Sequence, residues 1–186
     1  MHAFLACESR KNNLKSIGGI RVNLYHGSDI VVEKPEIFQS SLLDFGIGFY
    51  TTSKKEQAIR WAEKVSVRNN TNKKLLTVYS FDIDKARKEL NIINFTSADE
   101  KWLDFITANR RGREISEEFD IVIGPVADDN VYLSVKLYET GVLDKAEALK
   151  RLKVEKLFDQ ILFHTEKGLR RCVFDHYEDL GGESNG

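Results

Sequence analysis

Cysteine, proline and methionine are scarce in this chain of 186 residues, which holds two cysteines, two prolines and one methionine. Cys7 and Cys172 lie far apart, and neither belongs to a Cys-x-x-Cys or a Cys/His pattern. A disulfide framework and a structural zinc site are therefore not expected, and reduced thiols are typical of the cytoplasm. The four histidines form no His-Glu-x-x-His pattern, so we expect no metal cofactor.

Long apolar runs and an excess of charge of one sign are also missing. No apolar run is long enough to span a bilayer, and the short apolar stretch near the start has no basic region before it, unlike a secretory signal. The formal net charge is −1, which disfavours broad electrostatic binding to nucleic acid. We therefore expect a cytoplasmic protein that does not bind membranes.

The length and the ordinary composition of the chain predict one domain. Residues 1–20 are polar and predict a leader or a short helix, and residues 21–180 predict the folded domain. Residues 181–186 predict a disordered tail.

Hydrophobic spacing predicts the order strand, strand, helix, strand, helix, strand, two helices, strand, strand. Ser53, with Glu56 three residues later, predicts the start of the first helix. Gly141 predicts the end of the third helix, and Asp144 predicts the start of the fourth. Strands and helices do not alternate regularly, and no glycine-rich phosphate loop follows a strand. The pattern therefore predicts an α+β domain with two small sheets instead of a Rossmann or P-loop fold.

The first candidate site lies in the sequence "LYHGS", which ends the first predicted strand. His26 offers an imidazole that can bond a ribose hydroxyl, and Gly27 beside it offers a bare backbone that can pair with a planar amide. A purely structural role for a lone histidine at a strand end is the alternative.

The second candidate site lies in the sequence "GIGFYTT", residues 46–52. A glycine weakens a strand, so Gly46 and Gly48 indicate a close approach to the backbone or a sharp bend. Tyr50 follows them, and Trp61 lies eleven residues later on the predicted helix. A strand–turn–helix unit can place these two aromatic rings on either side of a flat heterocycle. The alternative is that both rings fill the core.

Two further stretches complete the candidate residues. Gln160 lies in the late strand "DQILFHT". Asp128 and Asp129 follow the strand that ends in "GPV", where they can contact a target or cap the next helix.

Together, these stretches resemble the ADP-ribosyltransferase fold, in the branch shared by diphtheria toxin and the poly(ADP-ribose) polymerases. The resemblance covers roughly residues 21–178, and Gln160 stands where the family carries a glutamate. It implies two small, facing antiparallel or mixed sheets around an NAD cleft with flanking helices. The residues that match the family's NAD-binding motifs are His26, Gly27, Ser28, Gly48, Tyr50 and Trp61.

The resemblance also implies the roles of these residues. NAD would be the substrate, with His26 holding the adenosine-side ribose and Gly27 holding the carboxamide. Tyr50 and Trp61 would form the walls of the nicotinamide slot. His26, Tyr50 and Gln160 would be the catalytic residues while the nicotinamide–ribose bond breaks and a nucleophile on the target captures the ribose.

The function implied is that of an NAD-dependent mono-ADP-ribosyltransferase that modifies an intracellular protein or nucleic acid. Small bacterial domains of this fold include toxins, so the resemblance implies the toxin of a toxin–antitoxin or defence pair, with an antitoxin or immunity protein as partner. Gln160 departs from the family because an amide carries no charge, and the loss of such a group typically costs about 3–4 kcal/mol of transition-state stabilisation. The alternatives are an NAD- or ADP-ribose-binding module without turnover, an RNA 2′-phosphotransferase, and an unrelated α+β domain.

Overall fold

The computed structural model of the chain describes residues 20–39, 43–113, 118–126, 129–152 and 158–181. The predictions for residues 1–19 and 182–186 lie outside the described residues. The described part has an α+β architecture with two small sheets, as the sequence predicted.

The chain forms strands and helices that we number in chain order. The strands are β1 (Arg21–Ser28), β2 (Phe49–Thr51), β3 (Leu75–Asp82), β4 (Ile92–Asn94), β5 (Ile121–Val126), β6 (Phe158–Phe163) and β7 (Val173–Asp179). The helices are α1 (Lys55–Asn69), α2 (Ile83–Glu89), α3 (Glu100–Arg110), α4 (Asp129–Glu139), α5 (Lys145–Leu152) and α6 (Glu166–Leu169). Of the helices in these ranges, none combines the length and the apolar character that crossing a membrane requires.

The predicted order of elements lacks α2, β4 and the four-residue helix α6. The strand β3 ends at Asp82, and a helix begins at the next residue. The Asp82 carboxylate accepts a hydrogen bond from the Lys85 N–H at 2.9 Å and so caps the new helix. Because no glycine or proline separates the strand from the helix, the boundary left no turn signal in the sequence.

The sheets have three and four strands. The first has the order β1-β3-β7 and is antiparallel throughout, and the second has the order β2-β6-β5-β4, with a parallel pair only between β4 and β5. An isolated bridge joins β1 to the residue after β2. The Tyr25 N–H donates to the Thr52 carbonyl at 2.8 Å, and the Thr52 N–H donates to the Tyr25 carbonyl at 3.0 Å. The backbones of the two sheets are therefore hydrogen-bonded at this pair of residues, beside the candidate site.

Two clusters of buried residues form the core. One lies between the four-stranded sheet and helices α3, α4 and α5, and it contains the fully buried Trp102, whose indole N–H donates to the Pro125 carbonyl at 2.9 Å. The other contains side chains of both sheets, among them Phe81 of β3 and Phe163 of β6, whose ring centroids are 5.4 Å apart. The four-stranded sheet is thus covered on both faces, which fixes its register.

Three sequence predictions concern the residues at which helices begin and end. Gly141 has a φ of +75° just after α4, and the Asp144 carboxylate accepts a hydrogen bond from the Glu147 N–H at 2.8 Å, so these two predictions are confirmed. The prediction that Ser53 caps α1 is wrong, because the residue at the N-cap position is Lys54, for which no side-chain capping bond is described. The hydroxyl and the N–H of Ser53 instead donate to the carboxylate of Asp159 on β6, a charged acceptor that the linear sequence does not place nearby.

Candidate functional site

His26 lies close to the end of β1, beside β2. Its Nδ1 is 2.9 Å from the carbonyl oxygen of Tyr50, and because a carbonyl only accepts, Nδ1 carries the proton. The ring lies against that of Phe49, with centroids 4.7 Å apart. Burial, partly opposed by the bond to Tyr50, lowers the pKa of His26 below its usual 6.5. The imidazole is therefore neutral at pH 7, and its Nε2 is a hydrogen-bond acceptor.

Gly27 presents its backbone to the gap between β1 and β2. Backbone groups two residues apart point to the same strand edge, so the N–H and C=O of Gly27 point to the edge where Tyr25 bonds Thr52. Extending the register of that bridge places Gly27 opposite Tyr50. A Cβ on Gly27 would lie 1.9 Å from the carbonyl oxygen of Ala58, so this glycine also lets α1 lie directly on β1.

Tyr50 is held at both ends. Its hydroxyl donates to the Gly46 carbonyl at 2.6 Å, and its own carbonyl accepts from His26. Gly46 lies in a turn with a φ of +82°, which the Asn109 side chain supports by donating to the Asp44 carbonyl at 3.0 Å. Burial, with a smaller effect of the Asp44 carboxylate, raises the pKa of Tyr50 far above its ordinary value. The phenol therefore stays neutral, and its partly buried ring packs against the core cluster beneath α3, α4 and α5.

The packing of β6 explains why residue 48, just before β2, is a glycine. Its φ is +150°, and a Cβ would lie 2.4 Å from both the Leu162 Cδ1 and the Phe163 carbonyl oxygen. The close approach that the sequence predicted is therefore made by β6 of the same chain. This contact brings the β6 backbone against β2 just before Tyr50.

A second histidine supports the same segment from the other side. The Nδ1 of His164 lies 2.7 Å from the Ile47 carbonyl, and its ring stacks on Phe119 with centroids 4.4 Å apart. His26 and His164 thus bond the backbone on either side of Gly48. His164 is not among the predicted site residues, because its position after a strand is the only feature of the sequence that points to it.

Trp61 is a residue of α1, and it is 51 % exposed. The alternative that it fills the core is therefore wrong. It lies between Ala58 and Ala62, whose backbone atoms are those that a Cβ on Gly27 would meet. Among the described ring contacts, none joins Trp61 to Tyr50, so the stacked arrangement of these two rings stays a prediction.

Gln160 lies on the same sheet face as Tyr50. Tyr50 pairs with Leu162, and residues two apart on a strand share a face, so Gln160 is its diagonal neighbour, at about 7–8 Å. The Gln160 Oε1 is buried and has no hydrogen-bond partner among the described residues. An unpaired buried acceptor typically costs about 1–3 kcal/mol, so a ligand hydroxyl that bonded this oxygen would remove that cost.

The structure shows fewer contacts for the other predicted residues. Ser28 ends β1, with its hydroxyl 3.4 Å from the Asp29 carboxylate. Asp128 lies outside the described residues, and Asp129 is described only as the first residue of α4, so their contact with a target stays a prediction. Within the described ranges, no three His, Cys, Asp or Glu side chains come together as a metal site.

Comparison with known proteins gives a family but no activity. The model of a family described as "Protein of unknown function (DUF3990)" matches residues 22–174, from β1 into β7. No curated protein and no solved structure matches the chain. The matched segment includes His26, Tyr50 and Gln160 and covers more than half of the sequence. The chain therefore belongs to the DUF3990 family.

Proposed function

We propose that this chain is an NAD-dependent mono-ADP-ribosyltransferase that modifies an intracellular protein or nucleic acid. The observation that carries the proposal is that His26, Tyr50 and Gln160 lie on three neighbouring strands. β1 reaches β2 through the bridge between Tyr25 and Thr52, and β2 pairs with β6. This arrangement supports the likeness of the site to the catalytic site of the ADP-ribosyltransferase family, whose residues come from three separate strands.

The gap beside Gly27 has the donors and acceptors that nicotinamide and its ribose require. A carboxamide has one donor group and one acceptor, which complement the Gly27 C=O and N–H that point to this edge. The neutral His26 donates its Nδ1–H to the Tyr50 carbonyl. Its Nε2 is therefore left to accept a hydrogen bond from a ribose hydroxyl.

The aromatic residues can hold the nicotinamide ring. Tyr50 is pinned by the Gly46 carbonyl, so it offers a preorganised wall. Trp61 is half exposed on the helix that lies on Gly27, so it is free to cover the other side. The nicotinamide ring of NAD is positively charged, and stacking it on such rings is worth on the order of 1–2 kcal/mol when water is excluded.

Gln160 would bind the 2′-hydroxyl of the nicotinamide ribose through its unpaired Oε1. In the reaction, the bond between C1′ and the nicotinamide nitrogen breaks, and its electron pair leaves with nicotinamide. A nucleophile on the target forms the new bond to C1′ and releases its proton to solvent. A glutamate in place of Gln160 would add a negative charge against the developing positive charge, so Gln160→Glu should accelerate this step.

Transfer of label from adenine-labelled NAD into a lysate, separated into protein and nucleic acid, tests the proposal. We expect label in one of the two fractions, a loss of at least about a hundredfold in His26→Ala and Tyr50→Ala, and a gain in Gln160→Glu. His164→Ala is the matched control, because His164 also bonds a backbone carbonyl of the "GIGFY" segment but at Ile47. Equal losses in His26→Ala and His164→Ala would mean that the histidines only stabilise the fold.

An NAD- or ADP-ribose-binding module without turnover is the second candidate, and the neutral amide of Gln160 favours it. In that case NAD raises the melting temperature of the wild type without label transfer, and Gln160→Glu restores transfer. If NAD neither stabilises nor labels with any variant, the assignment of this site to NAD is wrong. The cytoplasmic location, the antitoxin partner and the phosphotransferase alternative stay predictions.

A further inference from the structure

The carboxylate of Asp159 is the centre of a hydrogen-bond cluster next to Gln160. Its Oδ1 accepts from the Thr52 hydroxyl at 2.8 Å and from the Ser53 N–H at 3.0 Å. Its Oδ2 accepts from the Ser53 hydroxyl. Both oxygens are therefore engaged by two consecutive residues, and an ionised acceptor makes each of these bonds stronger than a bond between neutral groups.

The residues bonded by Asp159 join the parts of the proposed site. Thr52 and Ser53 lie between the end of β2 and the start of α1, so they connect the strand of Tyr50 to the helix of Trp61. Thr52 also forms the bridge to β1. Asp159 itself precedes Gln160 on β6. A single carboxylate thus links all three strands of the proposed site and the helix.

Other described contacts also hold the start of α1: Lys55 pairs with Glu178 of β7 at 2.7 Å, and the Thr52 hydroxyl lies 3.0 Å from the Gln57 Oε1. The residue that precedes the helix makes no side-chain capping bond, and β2 has only three residues. Among the described bonds, those of Thr52 and Ser53 to Asp159 attach this turn to β6. The direction in which α1 leaves the turn sets where the Trp61 ring stands relative to Tyr50.

We infer that Asp159 is the positioning residue of the NAD site, an inference that rests on the proposed function. It holds the turn between β2 and α1 against β6 and so sets the spacing between Gln160 and the two aromatic walls. Asp159 does not itself touch the substrate, because alternation along β6 places its side chain on the sheet face opposite that of Gln160.

Asp120 provides a matched control. Its carboxylate accepts from the Thr165 hydroxyl at 2.6 Å and from the Asn91 N–H at 3.0 Å, so it makes the same kind of bonds, and it also pairs with the exposed Lys167 at 3.5 Å. It precedes β5, at the end of the four-stranded sheet opposite to Asp159. Asp159→Asn and Asp120→Asn should therefore lower the melting temperature alike, while only the first disturbs the proposed site.

The test compares wild type, Asp159→Asn, Asp159→Glu and Asp120→Asn at two levels. Acrylamide quenching of tryptophan fluorescence reports on the half-exposed Trp61 without any ligand, because Trp102 is fully buried. Titration with NAD, followed by thermal stabilisation, gives the affinity. We expect Asp159→Asn to change the quenching and to weaken NAD binding about tenfold, with partial rescue in Asp159→Glu and no such change in Asp120→Asn.

Two outcomes separate this inference from the proposed function. If wild type binds NAD and Asp159→Asn binds it no worse than Asp120→Asn does, Asp159 has only a structural role and the inference is overturned. If wild type gives no response to NAD, the proposed function falls, and the quenching data alone decide the inference. Equal quenching in Asp159→Asn and Asp120→Asn would then overturn it.

Discussion

Gly48 is the clearest case in which one residue type follows from packing. Its backbone conformation is one that side chains rarely adopt, and β6 fills the space where a Cβ would stand. Gly27 behaves similarly towards α1, although its own φ is not in the left-handed region. Both glycines are thus required by the fold, whatever the gap between them binds.

We predict that Gly48→Ala lowers the free energy of unfolding by about 3 kcal/mol, because the new Cβ meets Leu162 and the Phe163 carbonyl in a strained conformation. Gly141→Ala is the control, since Gly141 also has a positive φ but nothing within 4 Å of the added atom. We expect it to cost only about 1 kcal/mol. Urea unfolding of both variants measures the difference, and equal losses would mean that contact with β6 does not constrain Gly48.

At the scale of elements, α3 supports the segment before β2 through one ion pair. The Arg110 guanidinium bonds the Asp44 carboxylate, with Nη2 and Oδ1 2.6 Å apart, and the two side chains are only 10 % and 16 % exposed. The guanidinium also lies 4.8 Å from the centre of the Tyr132 ring of α4. The turn that carries Gly46, and through it the Tyr50 hydroxyl, is therefore tied to the helical layer.

We predict that Arg110→Ala lowers the free energy of unfolding by about 3 kcal/mol, because it leaves the Asp44 carboxylate unpaired in a mostly buried place. The control is Arg151→Ala, which removes a pair with Glu147 whose side chains are 46 % and 43 % exposed. We expect that control to cost less than about 0.5 kcal/mol. Equal effects in urea unfolding would show that the Asp44 pair is as solvated as the exposed one.

The elements also show the limits of local patterns. Hydrophobic spacing predicted the long helices and the strands that carry His26, Tyr50 and Gln160, because burial imposes a period on each element. Hydrophobic spacing missed α2 and β4, and the capping pattern of Ser53 and Glu56 wrongly made Ser53 the cap of α1. The boundary between β3 and α2 carries no turn signal. The partner of Ser53 is Asp159, which lies on a strand distant in sequence.

On the scale of the whole molecule, the two sheets meet beside His26. The ring bonds the backbone of β2 and stacks on Phe49, so it is part of the contact between the sheets. Because the pKa of His26 is lowered in the folded state, the unfolded chain binds more protons between that pKa and the usual 6.5. Protonation of His26 therefore favours unfolding.

We predict that the free energy of unfolding is highest above pH 6.5 and falls as the pH is lowered from 6.5 towards the folded pKa of His26. His26→Gln should flatten this part of the profile, which denaturant unfolding at pH 7.5, 6.5 and 5.5 can measure. The carboxylates with lowered pKa values, Asp29, Asp120 and Glu178, lose their contributions only at a more acidic pH. An unchanged slope in His26→Gln would show that another group is responsible.

The sequence by itself determined the α+β class, the long helices with their ends at Gly141 and Asp144, and the strands on which the candidate residues lie. These features depend on local spacing and backbone preference, which neighbouring residues specify. Only the tertiary structure decided that β6 fills the space at Gly48, that Asp159 bonds Ser53 and that Trp61 is exposed. Such contacts join residues about a hundred positions apart or depend on where a helix is placed, and no local pattern encodes either.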